Sequence, residues 1–271
     1  MPSLMRSGSP KKSLGQHFLR DENICRKIAA SIAPLPGDVM LEIGPGEGAL
    51  TRHLAGKVKQ LLVVDLDVRM VTVIRETFPG ESVTAIHGDF LSTDLVALAR
   101  LHDRSIRIVG NIPYNITSPI LFHILDNRQA VSDATLTMQR EVARRLVAKP
   151  GTKDYGILSV SSQLFTDVHI LFDVSPHAFF PKPKVQSSVV HLSVLAAPRF
   201  EILDETFTRS FVRAVFGKRR KTLRNSIRYF LEETGRSLPP GLDLRRIPEE
   251  LSIRELDDLS NVVYAYQEHT F

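Results

Sequence analysis

The tetrapeptide Asn111-Ile112-Pro113-Tyr114 follows an apolar run, Ile106-Arg107-Ile108-Val109-Gly110, that reads as a buried strand. An asparagine amide oxygen and a nearby backbone carbonyl can both accept hydrogen bonds from one amino group. The proline fixes φ and removes a donor, which holds the local carbonyls outward. The tyrosine ring offers a flat face for a base to stack on. This set suits the exocyclic amine of a nucleobase. A strand end followed by a proline turn, with Tyr114 as packing, is the plainer alternative.

Three further strand ends carry polar chemistry. Val39-Met-Leu-Glu-Ile43 runs into Gly44-Pro-Gly-Glu-Gly48, where glycines permit a tight turn and close backbone approach, and the helix that follows presents unpaired N–H groups. The spacing also satisfies the dinucleotide pattern with Ala49 last, so the loop alone does not separate a nicotinamide enzyme from a nucleoside-binding one. Asp65 ends the next strand, about twenty residues on, where an acid accepts from ribose hydroxyls. Asp89, in Gly88-Asp89-Phe90, can accept from an adenine amino group while Phe90 lines the ring; taken alone it reads as a helix cap.

Stepping along the chain, helices over 21–33, 49–56, 68–78 and 95–101 alternate with strands over 39–43, 61–64, 83–86 and 106–109. That alternation predicts an open, mostly parallel α/β sheet, whose ligands bind beyond the carboxyl ends of the strands. A helix after Thr117, a strand near 134–138, helices over 140–148 and 157–165, and a pair of strands over 168–174 and 189–194 follow, the pair closing the sheet with an antiparallel strand. Beyond Ala196-Ala-Pro-Arg199 the pattern is helical, over 207–216, 222–233 and 253–266. The expected organisation is a basic arm over 1–13, a first domain over 14–197 and a small all-α domain over 198–271.

With 271 residues, 43% of them hydrophobic, the chain can bury a sizeable core. Its net charge of +5 fits a polyanionic partner without proving one. A single cysteine, Cys25, excludes a disulfide framework and a cysteine-rich zinc site. No apolar run approaches the ~18 residues of a membrane span.

The motifs Leu14-Gly-Gln-His-Phe-Leu19, Glu42-Ile-Gly-Pro-Gly-Glu-Gly-Ala-Leu-Thr51, Asn111-Ile-Pro-Tyr114, Gln139-Arg-Glu-Val-Ala143, Phe179-Phe-Pro-Lys-Pro-Lys-Val185 and Arg219-Arg-Lys-Thr-Leu-Arg-Asn225 span nearly the whole chain. In them the sequence resembles the ribosomal RNA adenine N6,N6-dimethyltransferases, within the class I methyltransferases that use S-adenosylmethionine (SAM). The resemblance implies a Rossmann-like α/β sheet with a small C-terminal all-α domain. It implies that His17, Leu19, Gly44, Gly46, Asp65, Asp89, Phe90 and Asn111 bind SAM, with no metal. Many bacterial members carry Asn at position 17 and many carry Glu at position 65, so His17 and Asp65 are departures. It also implies a small-subunit ribosomal RNA or subunit-precursor substrate, methylated on two adjacent adenosines near its 3′ end, a role in subunit biogenesis, and a cytoplasmic monomer.

On this reading Asn111 and the Pro113 carbonyl accept from adenine N6. Tyr114 stacks on one face of the base, and Phe179, or Phe180 beside it, is the candidate for the other. Arg219, Arg220, Lys221 and Arg224 concentrate charge at the start of a helix whose Leu223, Ile227 and Phe230 face inward, and they would meet RNA phosphates. Three alternatives stay open here. They are a large-subunit methyltransferase of the macrolide-resistance type, a non-catalytic assembly factor with a vestigial methyltransferase fold, and a nicotinamide oxidoreductase.

Overall fold

The computed structural model describes residues 11, 15–80, 82–217 and 221–266. The expected arm over 1–13, apart from Lys11, therefore lies outside the described residues. The chain divides into two compact units. The first comprises residues up to Ala143 together with His169–Val194; the second comprises Arg144–Val168 and the chain from Leu195 onward. The expected boundary near 197 falls close to the second division. Residues 144–168 cluster with the C-terminal helices, whereas the sequence reading gave them to the first domain.

The first unit begins with the short strand β1 (Phe18–Leu19) and helix α1 (Glu22–Ile32). Asp21 caps α1 by accepting from the Asn23 and Ile24 N–H groups, and Cys25, Ile28, Ala29 and Ile32 form its buried stripe. There follow β2 (Val39–Ile43), α2 (Thr51–Leu54), β3 (Gln60–Asp65), α3 (Val68–Thr77), β4 (Val83–His87), α4 (Leu95–His102), β5 (Ile106–Asn111), α5 (Thr117–Asp126), β6 (Val131–Gln139) and α6 (Arg140–Leu146). After α7 (Ile157–Phe165) come β7 (Thr166–Val174), β8 (Phe179–Phe180) and β9 (Ser187–Val194).

Seven strands form one sheet in the order β4-β3-β2-β5-β6-β9-β7. The first five are parallel and β9 runs antiparallel to β6. Every residue of β2 is buried, as a central parallel strand requires. The connections leave β2 towards β3 on one side and return to β5 on the other, so the order reverses between β2 and β5. That crevice is where ligands bind in open α/β sheets. Gly110 lets the two strands meet there: a Cβ on it would lie 2.6 Å from the Ile43 carbonyl oxygen. At the opposite end of β5, Arg107 binds Asp38 at 2.6 Å and Asp133 at 2.8 Å and donates to the Ile32 carbonyl. This fastens β5 to β6 and to the loop before β2.

One pairing was not anticipated. β1 and β8 form a separate two-stranded antiparallel sheet, with Phe18 opposite Phe180 and Leu19 opposite Phe179. Side chains alternate along a strand. Leu19 and Phe179 therefore turn into the hydrophobic core, at 5% and 4% exposure, while Phe180 turns out at 50%.

In the second unit, α8 (Glu205–Gly217), α9 (Leu223–Thr234) and α10 (Ile253–Ala265) join α7. Phe207, Phe211 and Phe230 make an aromatic centre, with Phe207 and Phe230 rings 5.2 Å apart and edge-on. Leu223, Ile227 and Phe230 are buried on α9, as the sequence pattern requires. Asp257 on α10 is buried with no hydrogen-bond partner for either carboxylate oxygen, and burial pushes it up to about 6. No helix among the described residues is long and apolar enough to cross a membrane.

Candidate active site

At the β2/β5 crevice two depressions, of about 270 and 310 Å³, share Phe18, Gly44, Gly46 and Asn111. The first is completed by His17, Asp65, Asp89, Phe90 and Ile112–Ile116, among others; the second by Leu19, Arg20, Glu42 and Glu47, among others. The strand ends singled out in the sequence thus converge on one place.

Gly44 follows β2 with φ +62°, and its N–H bonds to the Val64 carbonyl at 2.9 Å. A Cβ on it would meet nothing nearer than the Asn111 carbonyl at 3.9 Å, so the space beside it is a cradle that glycine leaves open. Asp65 ends β3 and accepts from the Asp67 N–H at 2.8 Å. Burial pushes its carboxyl up to about 6, opposed by that hydrogen bond and by one from the Gly46 backbone. Asp89 is exposed and its Oδ1 takes the Leu91 N–H at 2.9 Å, so it does cap a short 3₁₀ turn, but this leaves Oδ2 for another donor. Phe90 is buried and packs edge-on against His123 at 5.2 Å.

The Asn111 Nδ2 donates to the His17 carbonyl at 2.7 Å. Its Oδ1 is buried and has no hydrogen-bond partner. No described residue donates to it, and Asn111 lines both depressions. The His17 ring stacks on Tyr114, centroids 5.3 Å apart and planes 27° apart, and its Nδ1 donates to the Pro181 carbonyl at 2.7 Å. The Tyr114 hydroxyl bonds to Ser187 Oγ at 2.5 Å, and burial raises its pKa.

One expectation is qualified and another changes. The Pro113 carbonyl already accepts from the Ile116 N–H at 3.3 Å and the Thr117 hydroxyl at 3.2 Å, because the chain turns at once into a 3₁₀ turn and α5. The Thr117 hydroxyl has one proton and also faces the Tyr114 carbonyl at 3.3 Å, so the Pro113 carbonyl keeps capacity for another donor. Phe179 does not line either depression; it belongs to the core beneath β8. Leu19 is likewise buried by side chain and reaches only the second depression. Of the basic positions, Lys221 and Arg224 are exposed in the second unit, and Arg219 and Arg220 lie outside the described residues.

Sequence reasoning passed over Glu42. It is fully buried, accepts from the Thr51 hydroxyl at 2.7 Å, and is pushed up to about 7 by burial and, more weakly, by the Asp65 charge. A carboxylate in the otherwise apolar run Val-Met-Leu-Glu-Ile was the available signal. Gln16 was also missed; with Lys11, which the charge pattern assigns to the basic surface, it reaches the buried Asp67 carboxylate, at 3.3 and 3.5 Å respectively, and ties the N-terminal segment to the end of β3. Arg69 binds the same carboxylate and, with these donors, holds it well below the usual carboxylate range.

A parallel sheet with a glycine loop at its reversal point and acids at the next two strand ends defines a class I methyltransferase fold. The chain belongs to the ribosomal RNA adenine dimethylase family, whose model matches residues 8–251. It is 47% identical over 245 residues, 90% of each chain, to the ribosomal RNA small subunit methyltransferase A of Chlorobium phaeobacteroides (strain BS1). Among solved structures it resembles a dimethyladenosine transferase from Plasmodium falciparum, with a TM-score of 0.74 at 23% identity over 90% of this chain and 96% of that one. It also resembles the 23S rRNA methyltransferase ErmE, with a TM-score of 0.63 at 29% identity over 89% and 99% of the two chains.

Proposed function

We propose that the protein, as a member of this family, dimethylates N6 of adenosines in small-subunit ribosomal RNA with SAM as donor. The observation that carries this reading is Asn111, which lines a nucleoside-sized pocket and whose buried Oδ1 has no partner among the described residues. The open cradle beside Gly44 and the acids at two successive strand ends fit the cofactor: Asp65 would hold the ribose, Asp89 and Phe90 the adenine. Gly44, Gly46, His17 and Leu19 would border the rest, at the Gly44–Asn111 junction that both depressions share.

SAM supplies, when bound, a methyl group that is already electrophilic. The chain's task is the poor nucleophile. The adenine N6 lone pair is delocalised into the ring, and acceptors aimed at the amino hydrogens return it to nitrogen. Asn111 Oδ1 takes one hydrogen. The Pro113 carbonyl is the candidate for the second, since Pro113 lines the same pocket. Orientation supplies the rest of the acceleration, and no strong general base is required. Tyr114, fixed by Ser187, offers a stacking face worth roughly 1–3 kcal/mol towards the cost of unstacking the target base.

The small subunit is favoured by the 47% identity to a small-subunit enzyme, against 29% to a 23S enzyme. On this reading the protein acts in the cytoplasm as a monomer on the RNA or a subunit precursor. The test is to incubate it with labelled SAM and unmethylated small or large ribosomal subunits and to map the modified base. Label on adenosine N6 of the small subunit is expected; label confined to the large subunit, or none, refutes the assignment.

A further inference from the structure

Residues 180–187 form a loop anchored at both ends to the pocket. At its start Phe180 lies opposite Phe18, which lines both depressions, and the next carbonyl, of Pro181, accepts from His17. At its end Ser187 bonds the Tyr114 hydroxyl. Between these anchors Lys182, Lys184 and Val185 are exposed.

A lone exposed apolar residue means little. Phe180 differs from one in three respects. Strand alternation holds it outward while Phe179 anchors the same strand in the core. The Arg20 guanidinium lies 4.7 Å from its ring centroid, with Arg20 itself held by Glu47 at 3.3 Å. Half of the residue remains open to solvent, beside two lysines. An arginine backing an aromatic ring beside basic side chains is how proteins hold single-stranded bases without reading their identity.

We propose that Phe180, backed by Arg20, is a stacking platform for the nucleotide next to the target adenine, and that Lys182 and Lys184 meet its flanking phosphates. The proposal rests on the RNA-adenine reading above and adds a second nucleotide subsite to it. An adenine drawn out of its stack leaves its neighbour with a bare face, and the platform covers that face.

The test pairs protein and RNA changes, using a 3′-terminal small-subunit RNA fragment and, alongside it, whole subunits. Phe180→Ala is expected to weaken binding of the fragment on the order of 10-fold while SAM affinity stays unchanged, and Phe180→Trp is expected to restore it. An abasic residue placed on one side of the target adenine should weaken wild-type binding by a similar factor yet leave the Phe180→Ala complex unaffected. Equal abasic penalties in both proteins, on either side of the target, or wild-type binding by Phe180→Ala, overturn the platform. Failure of the wild-type protein to methylate any adenine in the fragment or in whole subunits overturns instead the functional reading beneath it.

Discussion

An asparagine amide can be fitted in two orientations, and at position 111 the choice is made by His17. Its backbone carbonyl can only accept, so the amide nitrogen must face it and the oxygen is left over. One hydrogen bond to the N-terminal segment thus sets the polarity of the site. Asn111→Ala should lower the turnover rate by about 10²-fold or more while leaving SAM affinity largely intact; near-normal transfer of label to RNA would remove Asn111 from the chemistry. Asp65 gives a pH signature. Its carboxyl titrates at about 6 in the folded protein, and the ionised form is the better acceptor for ribose hydroxyls. SAM affinity measured by calorimetry should therefore fall as pH is lowered through about 6, and in Asp65→Asn this dependence should vanish. The acids and Asn111 were legible in the sequence because each stands where an apolar run stops. The tetrapeptide does not reveal the turn whose donors, Ile116 and Thr117, share the Pro113 carbonyl.

The elements explain what single residues do not. The central strands and the longer helices follow from hydrophobic periodicity, since β2 and β3 are buried almost throughout and α1 buries a stripe. β1 and β8 are two residues each, too short to leave a periodic trace, and they pair only because the whole sheet brings them together. Their pairing decides the fate of Phe179, which reads as an aromatic in a proline-rich loop yet sits in the core. Phe179→Ala should cost about 3–5 kcal/mol of stability in denaturant titration, whereas Phe179→Leu should retain methylation; loss of activity at unchanged stability would return Phe179 to the base-binding site. In the helical unit, α10 carries Asp257 buried without a hydrogen-bond partner among the described residues. Its pKa rises from 3.8 to about 6 on folding, so the native state binds the extra proton. The stabilising effect of protonation is complete below about 4 and is lost as pH rises through about 6. Asp257→Val should raise the melting temperature at pH 8 and flatten its pH dependence; an unchanged profile would show that water or another group serves the carboxylate.

At the scale of the whole molecule, the candidate pocket and the basic positions of the C-terminal helices lie in different compact units. The pocket belongs to the first, while Lys221 and Arg224 project from the start of α9 in the second. Reversing the charge at Lys221 and Arg224 should weaken RNA binding and reduce the salt slope by about 0.7–0.9 for each lost phosphate contact, with SAM affinity unaltered. An unchanged slope would assign these residues a structural role. The first unit is itself discontinuous, since its sheet is finished by His169–Val194. His17 and Pro181, hydrogen-bonded across the pocket, are 164 residues apart in the chain. A ribosome releasing this polypeptide therefore makes the glycine loop, both acids and Asn111 long before the strand that seats His17 beside them. A chain ending before β8 would carry His17, both acids and Asn111 and still lack the carbonyl that holds the His17 ring.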